Sequence, residues 1–337
     1  MRLFRGAAIV NETALWYQRF GEIEAPGQSA IYQEWAFGVA NDGEVVTLLE
    51  ELPRPKRQPN LLFACARLLG SPVGGYARWR AWLIRNWSSV RDEMLVRRTQ
   101  TNEPRRCALL LPLLSLLDGP IALLEVGASA GLCLYPDRYS YDYEGHRIDP
   151  VDGRSTVLLE CAVTGDPPLP MSVPAIGWRA GIDLNPIDLN SVDDSVWLET
   201  LIWPEQTERL ERIRAAMAIV RVEEPRIVRG DATDALPALA AEAPKDATLV
   251  IVTSAVIVYL TPENRARFIE TVGALDARWI SNEGRGIVPS AAEALGSLQP
   301  PEPAEFVLAL DGQPVAWTGP HGQRLDWIRP RVGAAAS

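Results

Sequence analysis

The chain is poor in lysine and histidine, has no closely spaced cysteine pair, and lacks both a long apolar run and a basic surplus. Each shortage removes a class of function. No window reaches the ~18–20 uninterrupted apolar residues that a membrane helix needs. Met1-Arg2-Leu3-Phe4-Arg5-Gly6 lacks the apolar stretch of a secretory signal, so a cytoplasmic protein without a membrane partner is expected. The net charge of −10 leaves no excess of Lys and Arg to displace counterions from a phosphate backbone, which argues against nucleic acid as a partner. His146 and His321 are the only histidines, which excludes a His-rich zinc site. Cys65, Cys107, Cys133 and Cys161 are scattered without a C-x-x-C spacing and read as small core residues in a reducing compartment.

What remains is an ordinary globular composition, 47% hydrophobic and 23% charged, in 337 residues, enough for one large domain or two modest ones. Residues 1–118 read as a helical N-terminal region. Tyr76, Trp79, Leu83, Trp87, Val90 and Met94 recur at three- and four-residue steps, predicting one amphipathic helix from Gly75 to Arg98. Leu61–Leu69 predicts another, stopped by Gly70-Ser71-Pro72.

From 119 to 337 the pattern alternates. Leu123-Leu124-Glu125-Val126 is a buried strand that runs into Gly127-Ala128-Ser129-Ala130-Gly131, a turn of small residues with amides expected to face a ligand. Residues 135–180 interrupt the alternation with a β-rich insertion, in which Tyr139–Gly145 and Val157–Val163 read as strands. Further strands are expected at Ala180–Leu184, Pro225–Ala232, Thr248–Ser254 and Arg278–Glu283. Helices are expected after the Ser191 cap, from Pro204 and from Thr261-Pro262. Phe306–Leu310, Asp311-Gly312 and Pro314–Trp317 make a closing hairpin, and Arg324–Ile328 adds a strand. The expected fold is α/β: a mostly parallel sheet with helices on both faces and a C-terminal antiparallel hairpin.

Two chemistries compete at the small-residue turn. Gly127-x-Ser129-x-Gly131 fits a nucleophile elbow, and Ser129, Asp231 and His321 follow the order serine, acid, histidine of the matching hydrolase fold. Against a hydrolase, His321 lies in a terminal turn, no oxyanion loop is evident, and Glu125 has no role. Read as E-x-G-x-x-x-G, the same stretch is a nucleotide cradle, with Glu125 taking an ammonium, Asp183 two ribose hydroxyls, and Asp231-Ala232 bordering an adenine. Strand-end acids also cap helices, and that reading competes at Asp183 and Asp231. Gln100-Thr101-Asn102-Glu103 either caps the helix begun by Pro104 or lies over the glycine turn. Tyr259 reads as a packed core tyrosine, and His146 as a solvated turn residue.

Glu125–Gly131, Asp183, Gly230-Asp231-Ala232 and the closing hairpin resemble a class I S-adenosylmethionine-dependent methyltransferase with a Rossmann-like sheet. Nearly the whole chain also resembles the bacterial domain of unknown function 2332 family. That likeness is carried by Gln100–Glu103, Asp137-Arg138-Tyr139-Ser140-Tyr141-Asp142-Tyr143, Asp183-Leu184-Asn185-Pro186 and Trp279–Gly284. The resemblance implies S-adenosylmethionine as cofactor, S-adenosylhomocysteine as product, and a small-molecule acceptor. It implies cofactor contacts at Glu125, Gly127, Ala128, Ser129, Gly131, Asp183, Leu184, Asp231, Ala232 and Ser254. Gln100, Asn102, Glu103, Tyr139, Asp142, Asn185, Tyr259 and Glu283 are candidates for the acceptor side. A non-catalytic adenosyl-ligand sensor or scaffold is the alternative, and the Ser129 hydrolase the third.

Overall fold

Asn86 divides what the sequence offers as one long helix. The computed structural model describes residues 11–301 and 306–328; the stretch Met1–Gly6 and the Ala-rich end lie outside the described residues. The described residues fall into two compact units, those of 1–100 with 191–211, and those of 101–190 with 212–337.

The first unit carries α1 (Glu12–Arg19), α2 (Ala30–Ala40), α3 (Gly43–Glu50), α4 (Pro59–Leu68), α5 (Tyr76–Arg85) and α6 (Trp87–Val96). Asn86 turns its amide to the Trp82 carbonyl, 2.8 Å away, and leaves helical geometry at φ −112°, ψ 12°. The expected stripe survives the break, since Trp79, Leu83, Val90 and Met94 are fully buried. Trp79 stacks on Trp35 at 4.7 Å, and Phe63 meets both rings edge-on. Rings so placed gain beyond their buried area. The returning segment adds Trp203, which packs on Phe20 and Tyr32. No helix among the described residues is long and apolar enough to cross a membrane.

The second unit begins with α7 (Cys107–Leu114), buried throughout. Among the described residues its large sheet has nine strands. In chain order they are β1 (Ile121–Val126), β5 (Ala162–Thr164), β6 (Ile176–Asp183), β7 (Arg226–Arg229), β8 (Thr248–Ser254), β9 (Arg278–Gly284), β10 (Phe306–Leu310), β11 (Gln313–Thr318) and β12 (Arg324–Trp327). β2 (Ser140–Tyr143), β3 (His146–Ile148) and β4 (Leu158–Glu160) form a separate small sheet within the expected insertion. The spatial order of the large sheet is β5-β12-β11-β10-β9-β8-β1-β6-β7. β9, β8, β1, β6 and β7 are mutually parallel, whereas β10 and β11 form the antiparallel closing hairpin.

The remaining helices are α8 (Val192–Thr200), α9 (Thr207–Val222), α10 (Ala232–Ala240), α11 (Pro262–Gly273) and α12 (Pro289–Leu295). α9 starts at Thr207 rather than at Pro204, which stands in a turn before it. α10, α11 and α12 cover one face of the sheet, closing a core that includes Leu124, Val126, Ile251, Trp279 and Phe268. β1 is buried throughout and β8 from Val250 to Thr253, and parallel strands covered on both faces need apolar residues on both. Glu125 is the exception within β1.

From β1 the chain goes to β6 and β7 on one side, then returns past β1 to β8 and β9 on the other. The winding direction therefore reverses at β1. Open α/β sheets bind ligands outside the carboxyl ends of their strands at such a reversal.

Candidate functional site

Everything at this edge is arranged around the turn after β1. Gly127, Ser129 and Gly131 take left-handed φ values of 79°, 50° and 72°. Ser129 is the strained member, because a side chain in this region costs energy that glycine avoids. The turn is held by hydrogen bonds from outside it. Gly127 and Ala128 donate to the Ile182 carbonyl at 2.8 and 3.1 Å. Ser129 N–H donates to Asp183 Oδ2 at 2.9 Å, and Ala130 N–H to Asn102 Oδ1 at 2.9 Å. Gly131 N–H closes on the Ala128 carbonyl at 2.7 Å.

The amides expected to face a ligand are thus engaged inside the protein. The glycines have internal reasons too. A Cβ on Gly127 would stand 2.5 Å from Val256, and one on Gly131 would stand 2.9 Å from Pro225. The turn is braced from within the protein, and its donors are not free.

Asp183, at the end of β6, is what locks it. Oδ2 takes the Ser129 amide and Oδ1 the Asn185 amide at 2.7 Å. A carboxylate offers about four acceptor positions, so each oxygen keeps a second one. The Gln100–Glu103 stretch does both things weighed for it. Glu103 caps the turn at Pro104–Arg106 by accepting from Arg105 N–H at 3.1 Å. Asn102 meets the glycine turn, donating Nδ2–H to Ser129 Oγ at 2.7 Å while its oxygen holds Ala130. Gln100 belongs to the helical unit.

Asn102→Ala removes a buried acceptor for one amide and a partner for one hydroxyl, a loss of about 1–3 kcal/mol per unsatisfied group. A urea titration should show a lower midpoint at unchanged slope. An unaltered midpoint would mean that Asn102 does not pin the turn.

Two buried glutamates flank the same edge on opposite faces of the sheet. Glu125 is on the face opposite the core that α10, α11 and α12 close; among the described residues its buried Oε2 has no hydrogen-bond partner. Burial, and then the neighbouring Cys133 sulfur, push its carboxyl well above the usual carboxylate range against the pull of Arg106. Arg106 itself is buried, donating to the Ser254 and Pro320 carbonyls at 3.1 and 3.2 Å. Sequence reasoning missed it, although Pro104-Arg105-Arg106 follows directly on the Gln100–Glu103 stretch. Glu283 Oε1 accepts from Val256 and Ile257 N–H at 3.1 and 3.4 Å; Oε2 is buried beside a cavity of about 10 Å³. Burial raises its pKa to about 7 against the pull of those two amides.

The other expected residues divide. Ser254 joins the edge through Asn282 Nδ2, 3.3 Å from its hydroxyl. Asp231 caps α10 by accepting Thr233 N–H at 2.9 Å, with Ala232 opening the helix. Leu184 is exposed, and Asn185 serves as the amide under Asp183. Tyr139 is buried with its hydroxyl on the Leu132 carbonyl, 2.6 Å away. Asp142 accepts the Gly145 amide in the β2–β3 turn, and His146 meets the Pro170 carbonyl. Tyr259 is not a core residue: it is 86% exposed, because its single helical turn buries Ile257 instead.

Ser129 shares the left-handed backbone of a nucleophile elbow, but its hydroxyl is buried and accepts from Asn102. An elbow serine stands exposed.

Next to the turn lies an open groove of about 300 Å³, reaching from Ala130 and Pro186 to Arg229. Its residues at 187–190 and 220–229 were not singled out from the sequence, because no motif marks them.

A model of the family described as "Uncharacterized protein conserved in bacteria (DUF2332)" matches residues 73–327. No curated protein and no solved structure matches the chain.

Proposed function

The chain belongs to the DUF2332 family, and from that premise we propose that it is an S-adenosylmethionine-dependent methyltransferase acting on a small-molecule acceptor. The finer reading of the sheet, a Rossmann-like class I methyltransferase domain, is part of the proposal. The observation that carries it is Asp183 at the end of β6, fixed to the turn after β1 beside the reversal of strand order. An acid there, with one acceptor position spare on each oxygen, suits the two hydroxyls of a ribose.

The residues present fit the cofactor in one respect and differ from the usual cradle in another. Among the described residues the buried Glu125 Oε2 has no hydrogen-bond donor, which an ammonium would supply. The turn amides, being engaged, would contribute little, so carboxylates rather than backbone would hold this ligand. When bound, the group supplies a methyl carried on a sulfonium. The chain's own part is then to position the acceptor for in-line attack and to accept its proton.

Calorimetric titration with S-adenosylmethionine and S-adenosylhomocysteine tests the reading. Saturable binding of both is expected. No heat at millimolar ligand would overturn it, and would equally remove the sensor reading. Binding without methyl transfer to any small acceptor would leave the sensor.

A further inference from the structure

The cofactor reading leaves the groove beside Ala130 without a purpose. At about 300 Å³ it reaches the lower end of small-ligand sites, roughly 300–1,000 Å³. Its wall is apolar where Ile187, Leu189, Val220, Pro225 and Ile227 meet. Two of its charged residues are tied into the frame. Arg221 donates Nε–H to the Leu189 carbonyl at 2.9 Å, and Asp188 accepts the Asn190 amide at 2.8 Å.

Glu224 and Arg229 differ. Both line the groove, and among the described residues neither side chain has a hydrogen bond or ion pair, with the other or with anything else. Nearby charges do pair. Glu223 meets Arg138 at 2.9 Å, and Arg226 meets Glu242 at 2.7 Å. One groove therefore presents an unpaired carboxylate, an unpaired guanidinium and an apolar wall.

We infer that this groove binds a small zwitterion with an apolar body, an α-amino acid bearing an apolar side chain. Glu224 takes the ammonium, Arg229 takes the carboxylate through its planar fork, and the side chain lies on Ile187, Leu189 and Ile227. As the acceptor site of a methyl transfer the groove rests on the function proposed above. As a binding site it does not, so failure of S-adenosylmethionine to bind leaves it untouched.

The test is calorimetric titration of the full chain with L-leucine, N-acetyl-L-leucine and L-leucinamide. L-Leucine should bind with a dissociation constant of about 1 mM or tighter, and each blocked analogue about tenfold more weakly, as expected when one charge-assisted contact is lost. Glu224→Gln should abolish the penalty for acetylation alone, and Arg229→Gln the penalty for amidation alone. Both side chains are exposed, so neither change threatens folding, and circular dichroism checks this. Absence of L-leucine binding at about 10 mM, or variants that discriminate as the parent does, would overturn the inference.

Discussion

Asp183→Ala should weaken S-adenosylmethionine binding by roughly a hundredfold, as expected from losing two hydrogen bonds to a charged acceptor. It should also lower stability, by about 2–4 kcal/mol, because two backbone amides lose the same carboxylate and the site is only half-buried. The two effects have separate causes and can be separated. Asp183→Asn keeps an oxygen for one amide but removes the charge and one acceptor. Its urea midpoint should fall less than that of the alanine variant, while its affinity should stay at least tenfold below the parent. Equal affinity in all three proteins would mean that Asp183 is a turn lock alone.

The second large effect concerns acidity. Glu283 has a folded pKa of about 7 against 4.5 for an ordinary glutamate. Folding then favours the protonated form. Its contribution to stability is fully present below pH ~4.5 and is lost as pH rises through ~7, a change of order 3 kcal/mol. The protein should be less stable at pH 8 than at pH 5. Glu125, held well above its normal range, pushes in the same direction. Glu283→Gln isolates one contribution, since its oxygen can still accept from Val256 and Ile257. The variant should match the parent near pH 4 and exceed it by pH 8 in urea titrations. A difference between the two that does not vary with pH would show that Glu283 titrates normally.

Much of this edge was legible because it depends on local composition. The apolar run Thr248–Ser254 could only be a doubly buried strand, and Asp311-Gly312 between alternating segments could only be a hairpin turn. The Gln100–Glu103 stretch showed its polarity at once. What it does with that polarity was not visible, because Asn102 bonds to Ser129 and Ala130 across a fold contact that no spacing encodes. The engagement of the turn amides was hidden for the same reason: the acceptors of Gly127, Ala128 and Ser129 come from β6, beyond the inserted sheet. Asn86 breaks a helix whose apolar periodicity runs on undisturbed, so periodicity alone reads straight through it. Nothing local marks 191–211 as part of the helical unit. Tyr259 illustrates the converse error. An aromatic near a buried strand invites a core assignment, but one short turn decides which of two neighbours faces inward.

The site reached is narrower than the motif that pointed to it. Gly127 and Gly131 serve packing against Val256 and Pro225, and the groups that the proposal leaves to meet a ligand are the carboxyls of Asp183 and Glu125. A crystal structure of the protein with S-adenosylhomocysteine tests this most directly. The account predicts ribose hydroxyls on Asp183 and the ligand's ammonium on Glu125, with the turn amides still bonded to Ile182, Asp183 and Asn102. Ligand density elsewhere, or a turn whose amides have left those partners to bind it, would contradict the account.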